Sequence, residues 1–252
     1  MTRLAVLAFA GLSVSLVSPV RATTFVDQTF NLSDYTITQS LQVGTATVTQ
    51  TQSGGNPSPA IEVDYVIPAV ASSGSELGSV FYLNKNFTYD PASNGALASL
   101  TFMIDKNIDI VRPPSTGVTN GQSFLIFQGG SYYVDAVALG SKQNVFHTAD
   151  LTAGAGDFSL ITNLSSGAVD SSVHPSFAGG LMEFGFRNGF VFDPQTAAEV
   201  RIVEDNFSVA LTPAVPAVPE PESYALLLAG LGLVGWRACA RNRRALPEAA
   251  GG

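Results

Sequence analysis

Any chemistry in this chain has to come from its scattered acids, two histidines and a few tyrosines. Glu62-Val63-Asp64 places two carboxylates on one face of an extended strand, an arrangement that one class of sandwich glycoside hydrolase completes with a third acid after a bulge. The chain continues Tyr65-Val66-Ile67, so the proton donor is missing and the pair reads as the solvent face of a strand. Asp105, Asn107 and Asp109 have the spacing of the first ligands of a calcium loop, but Ile110 stands where the sharp turn needs glycine and no glutamate closes it. His147 and His174 are the only histidines, and neither has another ligand type at metal spacing. Gly121-Gln122-Ser123-Phe124-Leu125 lacks the second glycine of a nucleophile elbow. No residue qualifies as catalytic, and the expectation is a protein that is not an enzyme.

Binding offers more. Neighbouring residues on a strand point to opposite faces, so one of Tyr132 and Tyr133 is expected outside, where a sugar ring can stack on it. These two are the candidate glycan contacts, and a buried core tyrosine is the competing reading. The sole tryptophan, Trp236, and the sole cysteine, Cys239, both lie in the C-terminal tail. The body therefore contains no disulfide, no cysteine-cluster zinc site and no cysteine nucleophile.

The strongest pattern is C-terminal. A proline- and alanine-rich stretch at residues 212–218 leads to Pro219-Glu220-Pro221, then to the uncharged run Tyr224 to Trp236, then to Arg237, Arg241, Arg243 and Arg244. Thirteen helical residues cover about 20 Å, short of the roughly 30 Å of a bilayer core. Such a segment spans by thinning the bilayer while its arginines reach for head groups. The arginines act as the stop on the cytoplasmic side, which leaves everything before Pro219 outside. This order of spacer, Pro-Glu-Pro, glycine-containing apolar run and arginine cluster closely resembles the PEP-CTERM sorting domain of Gram-negative bacteria, over Val218 to Arg244. The resemblance implies a membrane protease of the exosortase class as partner, cleavage near Pro219, Glu220 and Pro221, at least transient membrane residence, and a host that makes exopolysaccharide or biofilm. Residues 245–252 run past the arginines as a tail.

The other end fits an exported chain. Arg3 precedes the mostly apolar Leu4 to Val17, and Val20-Arg21-Ala22 presents small or apolar residues to a signal peptidase. Residues 1–22 read as a signal peptide cut after Ala22. Between the two ends, the body carries seventeen acidic against six basic residues, a net charge of −11. That balance argues against a nucleic-acid partner.

The elements that must position these residues are strands. Tyr35, Ile37, Leu41 and Val43 alternate with polar neighbours, as do Ile61, Val63, Tyr65 and Ile67, then Leu100, Phe102 and Ile104. Further short runs at residues 80–83, 124–127, 132–139, 182–187, 200–203 and 207–211 are bounded by glycine, proline, asparagine or serine. The spacing predicts Phe184 and Phe186 inside, with Glu183 and Arg187 facing water. No sustained helical period occurs in the body, so residues 23–211 are expected to form one all-β domain, an antiparallel β-sandwich or jelly roll. Phe30 to Thr36, Leu181 to Phe186 and Glu204 to Val209 resemble stretches of concanavalin A-like or galactose-binding-like jelly rolls. That resemblance implies a structural calcium near the first and last strands, with Asp27, Asp34 and Asp205 as candidate ligands. The expected role is that of a sorted envelope or extracellular-matrix protein, structural or adhesive, with exopolysaccharide as a candidate ligand. The alternative is a polysaccharide-active enzyme with an unrecognised site.

Overall fold

Alternation of apolar and polar side chains dictates most of what forms. The computed structural model describes residues 22–55, 59–69, 76–110, 119–135, 145–192, 197–214 and 227–237. The chain divides into two units, Met1–Ala214 and Val215–Gly252. In the first unit the strands are β1 (Thr23–Asp27), β2 (Tyr35–Leu41), β3 (Thr45–Thr51), β4 (Ala60–Ile67), β5 (Glu76–Tyr89), β6 (Leu97–Ile110), β7 (Thr119–Gln128), β8 (Ser131–Asp135), β9 (His147–Ala153), β10 (Phe158–Asn163), β11 (Ala168–Asp170), β12 (Met182–Phe192) and β13 (Ala198–Pro213). A single helical turn, Pro91–Asn94, follows β5, capped by the Asp90 side chain on the Ala92 N–H.

Two antiparallel sheets result. The first runs β3-β4-β13-β6-β9, with β1 also paired to β13, and the second runs β11-β10-β8-β7-β12-β5-β2. Both faces expected to be buried are buried: Ile61, Val63, Tyr65 and Ile67 of β4 face Phe124, Ile126, Phe184 and Phe186 of the second sheet in one core. Rings meet across the gap, Phe102 on Phe124 at 4.9 Å and Phe207 on Phe186 at 5.0 Å, within the range where aromatic pairs add to area burial. The all-β class and the antiparallel sandwich are thus what the chain adopts.

Three details differ from expectation. Residues 200–203 and 207–211 belong to one strand, β13, which survives its change of phase through a bulge between Asp205 and Ser208, with Asn206 at φ 53°. Val200, Ile202 and Glu204 face inward before the bulge, and Phe207, Val209 and Leu211 after it. β13 also runs on to Pro213, and the Ala214 N–H donates to the Ala96 carbonyl at 2.8 Å, so the start of the expected linker is sheet. Finally, β9, β10 and β11 were not foreseen; β9 buries only Ala149, Leu151 and Ala153 on its inward side, too little apolar bulk to signal a strand.

Candidate functional site

The second sheet is strongly curled. At about 4.8 Å per strand, β2 and β8 would lie roughly 19 Å apart in a flat sheet. Yet Tyr132 Oη on β8 approaches Thr38 Oγ1 on β2 to 3.4 Å, and Ser40 Oγ on β2 meets Ser165 Oγ in the β10–β11 turn at 2.9 Å. The concave outer face holds a small core of its own, Phe81, Leu83, Leu125, Val134 and Ile161, with Phe127 and Tyr132 packed on it. Arg187 lies on this face rather than in open water. Its guanidinium stacks 5.6 Å from the Phe81 ring centre and donates to Ser79 Oγ at 2.8 Å.

Both candidate glycan contacts are half-buried. Tyr132 packs on Phe127 at 4.9 Å and on Phe81 at 5.5 Å, while Tyr133 points the other way, against the main core. Alternation separated the pair as foreseen, but each ring spends a face on neighbouring side chains.

The acids singled out by sequence are occupied. Glu62 and Asp64 share Arg201, whose Nε lies 2.9 Å from Asp64 Oδ1 and 3.5 Å from Glu62 Oε1. Asp105 accepts from Thr148 Oγ1 and from Asn206 Nδ2. His174 Nδ1 sits 2.6 Å from the Phe158 carbonyl oxygen. Of the candidate calcium ligands, Asp27 is buried at the end of β1 and accepts five hydrogen bonds, from Thr29 N and Oγ1, Phe30 N, Tyr35 Oη and Asn84 Nδ2. It ties the first sheet to β2 and β5 of the second. Asp34 lies in the 3-10 turn Leu32–Asp34, and Asp205 accepts from the Asn206 N–H. Among the described residues no group of three or more histidine, cysteine or acidic side chains is placed to hold a metal; the structure does not gather Asp27, Asp34 and Asp205 into one.

A polar layer inside the sandwich escaped the sequence reading. Glu204 of β13 and Lys106 of β6 stand opposite each other on neighbouring strands. From the facing sheet, Gln122 Nε2 donates to Glu204 Oε1 at 3.0 Å and Asn188 Nδ2 to Oε2 at 2.8 Å. Burial pushes Glu204 up to about 7, opposed by the Lys106 charge, and pushes Lys106 down to about 8, opposed by Glu204. The signal was present in parity: each of these residues falls on the inward phase of its strand.

The second unit is described at residues 227–237, which form a helix. Leu227, Leu228, Leu231, Leu233, Val234 and Trp236 are all at least half exposed, and Arg237 is the first charge. A helix apolar on every side has no water-facing stripe and needs an apolar surrounding. Its eleven residues span about 16 Å, and no described helix is long and apolar enough to cross a membrane. Pro219, Glu220, Pro221, Arg241, Arg243 and Arg244 lie outside the described residues, as do residues 1–21 of the expected signal peptide; Ala22 is exposed, immediately before β1.

Comparison with known proteins finds one family. The profile described as the PEP-CTERM protein-sorting motif matches residues 217–244. No curated protein matches the chain. Among solved structures, the cryo-EM structure of Broad Bean Stain Virus is similar at 12% identity, covering 66% of this chain and 98% of that one at a TM-score of 0.22. The uncharged helix ending in arginine is thus the centre of a recognised address, and the chain is a PEP-CTERM-bearing, exported protein made as a membrane-anchored precursor for processing by an exosortase.

Proposed function

We propose that the sandwich is a non-enzymatic module of the envelope or extracellular matrix, structural or adhesive, which the sorting segment delivers to the cell surface and which engages the host's exopolysaccharide. The observation that carries this reading is the sorting motif at residues 217–244 joined to a body whose surface is built for hydrogen bonding. The outward face of the first sheet presents Thr45, Thr47 and Thr49 on β3, the Thr101–Thr152 hydroxyl pair at 2.9 Å, and the Arg201 ion pairs. Hydroxyls and fixed charges of this kind exchange hydrogen bonds with sugar hydroxyls through direct contacts and bridging water. The acids that invited an enzymatic reading are held by structural partners, which supports a binding role.

The test replaces Pro219-Glu220-Pro221 by three alanines in the native host. Full-length protein should accumulate in the inner membrane, while the wild-type chain is shortened, appears at the surface or in the medium, and co-sediments with the host's purified polysaccharide. Normal release of the alanine variant would sink the sorting part. A processed wild-type protein that ignores the polysaccharide would sink the adhesive part.

A further inference from the structure

A cavity of about 310 Å3 opens between β9, the edge strand of the first sheet, and β8 and β10 of the second. That volume is at the lower end of those that hold small ligands. Asp135, Leu151, Thr152, Asp157, Ser159 and Ser171 line it, with Gly156 in the 3-10 turn beside them. Asp135 is only 4% exposed. Its Oδ1 accepts the Phe124 N–H at 2.7 Å, whereas Oδ2 is buried and has no partner among the described residues. A buried carboxyl oxygen without a partner is rare, because its lost hydration is not replaced. Asp157 also lines the cavity, fixed by its Oδ2 accepting the Gly154 N–H at 2.8 Å.

The chemistry of the lining narrows what fits. Burial pushes Asp135 up to about 7 against the pull of the Phe124 N–H and of Arg187. Near neutral pH it is therefore frequently a carboxylic acid able to donate as well as accept. A divalent cation would meet carboxylates that each already spend an oxygen on a backbone N–H, one of them readily protonated. An apolar ligand would leave Oδ2 stranded. A polyol matches this lining, since its hydroxyls donate and accept in turn with Asp135, Asp157 and Ser171, while its C–H face meets Leu151.

We propose that this cavity receives one sugar residue of a neutral polysaccharide, with Asp135 as the buried anchor for its hydroxyls. The inference rests on the adhesive reading above and gives it a specific site. Full-length protein in detergent micelles would be titrated separately with glucose, galactose, mannose and N-acetylglucosamine, followed by saturation-transfer NMR. At least one sugar should bind. Asp135→Asn keeps an acceptor for the Phe124 N–H and a donor for the cavity, so binding should persist; Asp135→Leu should weaken it by at least about tenfold. Gly156→Tyr provides a second variant, because a Cβ there meets nothing within 4 Å, and it should block entry while the circular dichroism spectrum stays unchanged. If none of the four sugars binds although the full chain still co-sediments with polysaccharide, the cavity assignment is overturned and the adhesive reading stands. Calcium binding that Asp135→Asn abolishes, without sugar binding, overturns it equally. Loss of co-sedimentation alone counts against the adhesive reading and not against a cavity that binds sugar.

Discussion

Glu204 shows what a single buried acid does to the energetics of this sandwich. In the folded chain its pKa is raised from 4.5 to about 7, chiefly by burial. Between about pH 4.5 and 7 the folded state therefore holds a proton that the unfolded state has released, and stability from this group falls as pH rises through that window. Asp135, also raised to about 7, acts in the same direction. Lys106 works oppositely at higher pH: lowered to about 8, it has lost its proton in the folded chain while the unfolded chain still holds one, so stability recovers between about pH 8 and 10. Glu204→Gln should remove part of the acid-side slope. Urea unfolding at pH 5 and pH 7 should show the wild type losing more stability than the variant across the interval, by up to about 1 kcal/mol per pH unit. Parallel curves for the two proteins would contradict the burial of an ionisable group at this position.

At the scale of elements, β12 makes a close backbone approach to β5, and it does so at a glycine. The ladder to β5 shifts register between Glu183 and Gly185, and a Cβ at Gly185 would fall on the backbone carbonyl of Tyr82. Gly185→Ala should therefore cost about 3 kcal/mol, at the upper end of overpacking penalties because backbone rather than a side chain must move. Gly156→Ala, where space is open, should change stability by less than about 0.5 kcal/mol. Comparable urea midpoints for the two variants would refute the close approach. The same strand marks how far sequence reasoning reached. Phe184 and Phe186 were legible as inward because alternation alone decides a strand's faces. The neighbouring Arg187 was placed in water because alternation cannot say that a curled sheet buries its outer face too. The strands with large inward side chains, β4 and β6 among them, were read correctly. β9 was not, because alanines carry its inward side. The cavity acid Asp135 was missed for a related reason: Asp157 and Ser159, which line the cavity with it, come from segments without a strong pattern, and only the tertiary arrangement brings them together.

For the whole molecule, the question is where processing can cut without damaging what it releases. The first unit, ending at Ala214, contains both hydrophobic clusters, and its last strand is held to the end: Leu211 pairs with Leu100, Thr212 with Ser99 and Pro213 with Leu97. The sorting motif at Pro219-Glu220-Pro221 begins beyond this last pairing, so cleavage there leaves every core residue and strand pairing of the first unit in place. A chain ending at Val218 should melt within a degree or two of the full-length protein in the same detergent, whereas one ending at Ala210 loses Leu211, which is 2% exposed. Emptying that site and unpairing the end of β13 should cost about 3 kcal/mol, a drop of several degrees for a domain of this size. A lower melting temperature for the chain ending at Val218 would mean that the sandwich draws stability from the segment an exosortase removes, and that processing releases a weakened domain. Equal melting would make the tail an address alone, recognised by its own motif, apolar helix and arginines and separable from the module it delivers.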